Sequence, residues 1–485
     1  MMKKTLTYYS IFFMFFMIVQ RGSGFLTKII MANTISVYEY SVLTLVALTI
    51  PGMFQLVTNL NFFEILSHSE AGKKYFRFTL VASMAFTIAS SILLYFFCNS
   101  FFGYMNLPPE QSGFFYLLIV FSLFSVALTV DIEGLFTGLK QYTLPSIIMA
   151  IPSVMRLVFT VIIVLLGITS LEILLVAFTI SNVVPLVAIA LCPEYRAALS
   201  KTGPFTFPSK TIFLFGLSIF CISYFSMIGQ YLIKLVISHE LGIVWQGYYD
   251  VSLTIVGILL FSLGTMKFLT IPEATNSDKN SIYMKGGLAD INRLLFAFTI
   301  LLSLVLILYS RFIVVTIFSA DFEIAADYLY ILVIGEVFLF IQLMVSHINI
   351  AQSEKKSDYL RLTVIPLCIF PLFFYLTQYL IAYFSGAGVG NGFVGAYISY
   401  TVLMVLFTVI TLYMSKDRGP VRSLLAGSER LAVSSVVPVA IISFFHPGPI
   451  PGIFMLMGTF IVSVFLSGYL NKDHVIEMLI PHKRD

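Results

Sequence analysis

Phe25-Leu26-Thr27-Lys28-Ile29-Ile30 is an apolar hexapeptide carrying one lysine, and Tyr231-Leu232-Ile233-Lys234-Leu235-Val236 repeats it with the lysine 206 residues further on. Each copy lies near the end of a long apolar run. Each is followed by a short polar stretch and a tyrosine-bearing restart, Val37-Tyr-Glu-Tyr-Ser-Val-Leu43 in the first half and Gly247-Tyr-Tyr-Asp-Val-Ser-Leu253 in the second. A lysine deep in a membrane-length apolar run costs about 2.5–3.5 kcal/mol on insertion scales. Its recurrence at matched places therefore points to a shared role in two related halves.

Working outward, the whole chain reads as membrane protein. Of 485 residues, 59% are hydrophobic, 15% aromatic and only 11% charged. A water-soluble body of this size needs about 25% charged residues to cover itself. A soluble enzyme, a disulfide scaffold and a disordered chain are excluded. The cysteines, Cys98, Cys192, Cys221 and Cys368, have neither zinc nor disulfide-framework spacing and read as buried, inert thiols.

Apolar runs long enough to cross about 30 Å of hydrocarbon fall at 5–30, 41–62, 75–99, 113–137, 141–166, 170–192, 211–237, 247–268, 292–315, 326–350, 359–384, 393–414, 429–446 and 450–469. The expected fold class is an all-α polytopic membrane protein of about fourteen transmembrane helices. The last two runs are short and joined by His446-Pro-Gly-Pro-Ile-Pro-Gly452, so a re-entrant hairpin is the alternative there. Barrel strands would alternate in segments of roughly ten residues, and these runs do not. Met1-Met-Lys-Lys4 resembles a secretory leader, but no small-residue cleavage site follows, and the run reads as an uncleaved first helix. With the N-terminus inside and the helices alternating, 23 of the 28 lysines and arginines fall on the cytoplasmic side. That asymmetry predicts cytoplasmic N- and C-termini.

The repeat divides the chain into an N-lobe at 1–192 and a C-lobe at 211–414, two pseudo-symmetric six-helix lobes. A cytoplasmic linker at 193–210, a helix pair at 429–469 and a cytoplasmic tail at 470–485 complete it. Gly134-Leu-Phe-Thr-Gly-Leu-Lys140 and Asn349-Ile-Ala-Gln-Ser-Glu-Lys355, 215 residues apart, are matching helix exits. Repeated lobes with a site between them are the usual plan of alternating-access transporters.

Ionisable residues inside spans normally face protein or water. Arg21 and Lys28, seven residues apart, share a face of helix one with Gly24 between them. Gly22 and Gly24 would allow a bend or the close approach of a ligand. Arg156 is deep in helix five and Lys234 is in helix seven. These four basic residues are the candidate cavity-lining, phosphate-contacting set. The alternatives are snorkelling for Lys28 and Lys234 and structural ion pairs for Arg21 and Arg156. Asp131, Asp250 and Glu336 are candidates for ion coupling or charge pairing, and Asp250 could instead cap helix eight. Glu133 points away from Asp131, so at most one of the two should line a cavity. Gly386-Ala-Gly-Val-Gly-Asn-Gly392 and Asp131-Ile-Glu133 imitate phosphate-loop and sugar-nucleotide motifs but lie in or beside membrane helices. Trp245 and the many tyrosines suit interfacial anchoring.

On the helix plan, on Glu39-Tyr40 at the start of helix two and on Gly134–Lys140 closing helix four, the chain resembles the polysaccharide flippases of the multidrug/oligosaccharidyl-lipid/polysaccharide (MOP) exporter superfamily, the Wzx-type translocases. Gln20-Arg21-Gly-Ser-Gly24-Phe25 is also similar to the first-helix motif of the lipid II flippase branch. The second basic residue of that motif would fall on Thr27, whereas here the charge is on Lys28. The resemblance implies flipping of an undecaprenyl-pyrophosphate- or dolichyl-phosphate-linked oligosaccharide from the cytoplasmic to the outer leaflet, for surface polysaccharide or glycan biosynthesis. It further implies a cationic central cavity, with Arg21 and Lys28 holding phosphate from one lobe, Lys234 from the other, and Arg156 in the wall. Expected partners are that lipid-linked oligosaccharide, membrane lipids and other polysaccharide-assembly proteins in the cell membrane. No cofactor, metal, nucleic acid or catalytic group is expected. The competing reading is a cation-coupled multidrug or small-molecule antiporter of the same superfamily. A membrane glycosyltransferase or polymerase would need a sizeable outer loop, which the spans leave no room for.

Overall fold

A computed structural model describes residues 2–59, 71–139, 143–191, 193, 202–260, 287–352, 356–414 and 427–470. Every described element is helical, and each of the fourteen expected spans falls on a helix. In chain order these are α1 (Met2–Ala32), α2 (Val37–Thr44, continuing to Asn59), α3 (Ala71–Tyr104), α4 (Ser112–Gly138), α5 (Thr143–Leu165), α6 (Leu171–Leu191) and α7 (Lys210–Glu240). Then follow α8 (Ile243–Val256), α9 (Gly287–Phe318), α10 (Leu329–Gln352), α11 (Lys356–Ser385), α12 (Val389–Met414), α13 (Ser428–Phe445) and α14 (Pro449–Leu466). Among the described residues, twelve helices are long and apolar enough to cross a membrane. The other two, α1 and α7, are 31 residues each and carry the intramembrane basic residues. The protein is therefore a multi-pass membrane protein. Large side chains such as Phe96, Leu165 and Leu466 are more than 70% exposed, as expected of a surface solvated by lipid. The last pair, α13 and α14, are 18-residue helices of spanning length. The basic residues Arg196 and Lys201 of the linker, most of the inner loop at 269–291 and the tail from 471 lie outside the described residues, as do Lys140, Cys192 and Lys355.

The chain divides into two compact units. The first, residues 1–254 with 354–400, holds α1 to α7, most of α8, α11 and the first half of α12. Within it α2 and α8 are the interior helices, with 61% of their apolar windows buried against 17% for the window in α11. A capping box starts α2: the Ser36 hydroxyl accepts from the Glu39 N–H while the Glu39 carboxylate accepts from the Ser36 N–H at 3.0 Å. A π-helical turn at Leu45–Thr49 follows. Pro51 has no N–H to offer the Ala47 carbonyl and its ring would clash there, and the widened turn makes room. The C-terminal end of α7 is pinned to the end of α3. Asn106, in the left-handed region at φ 57°, donates to the Ser238 carbonyl at 2.6 Å, and the Ser238 hydroxyl donates to the Met105 carbonyl at 2.6 Å. Tyr104 stacks on His239 at 3.8 Å between ring centroids. This clasp lies one turn beyond Lys234 and fixes its height.

The second unit, residues 255–353 with 401–485, holds α9, α10, the rest of α12 and the α13–α14 hairpin. Phe296, Phe340, Met344, Leu431, Phe460 and Val464 form its core. The α12 hydroxyls of Thr401 and Thr408 donate to α10 carbonyls at Ile331 and Phe338, 2.7 and 2.8 Å away. Arg311, near the end of α9, is exposed and ion-paired with Glu323.

Glycines mark where helices touch backbone to backbone. Of the Gly386–Gly392 run, residues 386–388 make the tight α11–α12 turn, with Gly388 at φ 126°, and the rest opens α12. A Cβ on Gly395 would sit 2.6 Å from the Leu380 carbonyl oxygen, and backbone cannot step aside as a side chain can. Of the described cysteines only Cys221 is buried; Cys98 is half-buried and Cys368 exposed, so the expectation of uniformly buried thiols is corrected. Gly395→Ala is expected to destabilise the protein by about 1–3 kcal/mol through overpacking. Gly22→Ala, with open space around it, should cost nothing or slightly stabilise α1. Unfolding midpoints of the two variants in detergent check this.

Candidate functional site

Four helices of the first unit meet at Asp250. Gly242, at φ 100°, ends the α7–α8 turn, so α8 starts at Ile243 and Asp250 lies two turns inside it. The reading of Asp250 as a helix cap is corrected on that ground. Its side chain is 1% exposed and accepts from three donors. Lys28 of α1 reaches Oδ2 at 2.8 Å, Lys234 of α7 contacts Oδ1, and the Tyr40 hydroxyl of α2 donates to Oδ2 at 3.0 Å. Lys28 also donates to Thr254 Oγ1, one turn along α8, at 2.8 Å. The ammonium groups turn inward to the carboxylate and do not snorkel. Lys234 and Tyr40 are buried, whereas the Lys28 side chain keeps 22% of its exposure.

Small side chains make this meeting possible. A Cβ on Gly247 would collide with Ser41 Oγ, and one on Gly52 would lie 2.6 Å from the Tyr231 hydroxyl. Close approach at these two glycines brings α2 against α8 and α7. The four residues at the centre are two pairs of repeat-related positions. Lys28 corresponds to Lys234 in the matched hexapeptides, and Tyr40 corresponds to Asp250 in the matched restarts.

Arg156 arrives on α5, which packs along α1. Its guanidinium donates to Asn182 Oδ1 of α6 at 2.7 Å and lies 5.9 Å from the Phe178 ring centroid. Asn182 in turn donates to Ser122 of α4 at 3.2 Å. No carboxylate neutralises Arg156 among the described residues, and its Nε has no hydrogen-bond partner. It lies close enough to Lys28 for the two charges to repel, and Tyr231 feels both Arg156 and Asp250. Arg21 is half-exposed on α1, two turns before Lys28, and α1 runs unbroken through Gly22-Ser23-Gly24. The space a side chain would occupy at Gly22 and Gly24 is open to 4 Å.

The other acidic candidates are elsewhere. Asp131 and Glu133 are both buried in α4. Asp131 Oδ2 contacts Ser83 Oγ of α3, and its Oδ1 has no partner. Glu336 is buried in α10 of the second unit. Tyr40, Thr254, Tyr231 and Asn182 were not legible as site residues. For Tyr40 the signal was present, since it occupies the place in its repeat that Asp250 occupies in the other.

Chemically, Lys28, Lys234 and Arg156 against one carboxylate leave a net positive charge in a buried setting. Such a group attracts an anion, and lysine and arginine present point-like and bidentate donors to oxyanions.

No protein-family model and no curated protein sequence matches the chain. Among solved structures, it is similar to the lipid II flippase MurJ in an inward closed conformation. That match has a TM-score of 0.65 at 15% identity, covering 94% of this chain and 98% of that one. The eukaryotic MATE transporter AtDTX14 aligns with TM-score 0.58 at 10% identity over 87% of this chain and 98% of its own. The MATE transporter VcmN of Vibrio cholerae in the bent form gives 0.55 at 15% over 87% and 98%. At such identities the likeness establishes the fold alone, one shared with these transporters.

The charge arrangement sets an unequal cost for its members. Asp250→Asn leaves two buried ammonium groups uncompensated and is expected to cost about 3–5 kcal/mol. Lys28→Met leaves the neutral Lys234–Asp250 pair intact and should cost about 1 kcal/mol, the worth of its hydrogen bonds. Detergent-solubilised unfolding midpoints of the two variants check the order, and equal losses would contradict it.

Proposed function

We propose that this protein flips a lipid-linked oligosaccharide from the cytoplasmic to the outer leaflet of the cell membrane, with a cationic cluster receiving the lipid phosphate. The observation that carries the reading is the surplus positive charge at Lys28, Lys234 and Arg156, where two lysines share the single carboxylate of Asp250 and Arg156 has only an amide oxygen for a partner. Lys28 is the accessible member. It spends two of its three N–H donors on Asp250 and Thr254 and keeps side-chain exposure for a third contact. Arg21, on the same face of α1, extends the positive strip by two turns, and the open backbone at Gly22 and Gly24 leaves room for a head group between them. A phosphate or diphosphate brings the negative charge that this strip lacks.

In this reading the chain works as two six-helix lobes, 1–192 and 211–414, that alternate access around the cluster, with 429–469 as an accessory pair and both termini cytoplasmic. One structural neighbour is a lipid II flippase, which agrees with a lipid-linked substrate. With the cell interior negative, outward movement of one negative charge gains about 2.3 kcal/mol per 100 mV, so an anionic lipid needs no nucleotide. The partners in this reading are a polyprenyl-(pyro)phosphate-linked oligosaccharide, surrounding lipids and other polysaccharide-assembly proteins.

A second reading has its own support. The MATE neighbours and the buried carboxylates Asp131 and Glu336 suit a cation-coupled antiporter of small molecules. The two separate in proteoliposomes loaded with a polyprenyl-diphosphate oligosaccharide whose exposed sugar is destroyed by an impermeant oxidant. The flippase reading predicts transfer by the wild type and at least a tenfold slower rate for Arg21→Ala and Arg156→Ala at equal protein content. Full activity in both variants, or no transfer by the wild type alongside gradient-dependent efflux of a cationic dye, would overturn it.

A further inference from the structure

The two buried aspartates of the first unit are opposite in surroundings. Asp250 is held by two lysines and a tyrosine. Asp131, fully buried on α4, meets a single polar group, the hydroxyl of Ser83, and its Oδ1 has no hydrogen-bond partner. Among the described residues no cation pairs with it. Of the charged side chains on the helices packed around α4, none contributes to its electrostatic environment among the described residues. That holds for Glu39 on α2, Lys74 and Arg77 on α3, Arg156 on α5 and Glu172 on α6, and for Glu133 on α4 itself.

The hydrogen count at Ser83 decides the matter. Its hydroxyl is within bonding distance of two acceptors, Asp131 Oδ2 and, at 3.2 Å, the Leu80 carbonyl. A serine has one hydrogen to give. An ionised Asp131 has to share that one hydrogen with the Leu80 carbonyl, whereas an Asp131 that brings a proton of its own lets both contacts be made in full. The carboxylic O–H then donates to Ser83 Oγ, the Ser83 hydrogen goes to the Leu80 carbonyl, and Oδ1 becomes the carbonyl oxygen of a neutral acid, which tolerates burial without a donor far better than a charged oxygen does. The wall is consistent with this. Thr79 and Thr87, one turn on either side of Ser83, are fully buried and donate to their own helix carbonyls at 2.9 and 2.8 Å. They offer Asp131 no further hydrogen.

We infer that Asp131, with Ser83, is a proton-binding site in the α3–α4 pair, separate from the lysine cluster and loaded in the conformation described here. It binds one proton on Oδ2, and losing that proton leaves a lone buried carboxylate, so release accompanies a rearrangement that brings water to α4. The inference stands whichever substrate the cationic cluster takes.

Infrared difference spectroscopy of the purified full-length protein in lipid tests it directly. The wild type should show the carbonyl stretch of a neutral buried carboxyl that is missing from Asp131→Asn and kept by Asp250→Asn. Ser83→Ala, which removes the acceptor, should shift that band to higher frequency. The band should also fade as the buffer is taken from mildly acidic to alkaline. An Asp131→Asn spectrum identical to wild type would show the carboxylate to be ionised and overturn the inference. So would an Asp131 band indifferent to buffer pH, or one abolished by sodium at constant pH, since the first marks a sealed structural proton and the second a metal ion's site.

Discussion

The structure turns on one carboxylate shared between two lysines. Asp250 is buried where a lone charge would be untenable, and it is tolerated because Lys28, Lys234 and Tyr40 converge on it from three other helices. That convergence constrains much else. It requires α1 and α7 to carry intramembrane lysines at one depth, α2 and α8 to touch at Ser41 and Gly247, and the end of α7 to be held by the Asn106 clasp. The ledger of charge does not close at zero, because Arg156 adds a cation whose nearest polar partner is an amide. A packed membrane protein with no use for that surplus would gain by replacing it with apolar side chains.

The residues that meet occupy matched places in the sequence repeat. The centre of the cluster is made of equivalent positions from two halves of the sequence, lysine with lysine and tyrosine with aspartate. The same positions differ in exposure, with Lys28 reachable and Lys234 sealed. Asymmetry of this kind suits a site that admits a ligand from one side at a time.

Much of this was legible in the sequence, and the part that was not has identifiable causes. The fourteen helices followed from apolar length, and the two lysines from the repeated hexapeptide. The role of Asp250 was hidden by a shift of one helical turn. The apolar run put the start of α8 at 247, whereas the turn glycine is Gly242 and Gly247 serves helix contact. A carboxylate assigned to a helix end is read as a cap; two turns inside, it must have partners. For Arg156, read as lining a cavity with an ion pair as the alternative, no ion pair forms among the described residues; an asparagine and an aromatic face meet it, a pairing with no sequence spacing to betray it. Asp131 and Glu133 were separable by direction along α4, but only coordinates show that the first has a single hydroxyl for company.

The central claim is that the cluster around Lys28 receives an anionic phosphate. Thermal unfolding of the purified wild-type protein, titrated with a water-soluble short-chain prenyl diphosphate, tests it most directly. A ligand that binds the folded state alone stabilises it by about 2.7 kcal/mol at a hundredfold excess over Kd. A saturable rise in Tm that weakens with salt and disappears in Lys28→Met is the result predicted. A Tm unmoved by the diphosphate but raised by a cationic amphiphile would contradict the account.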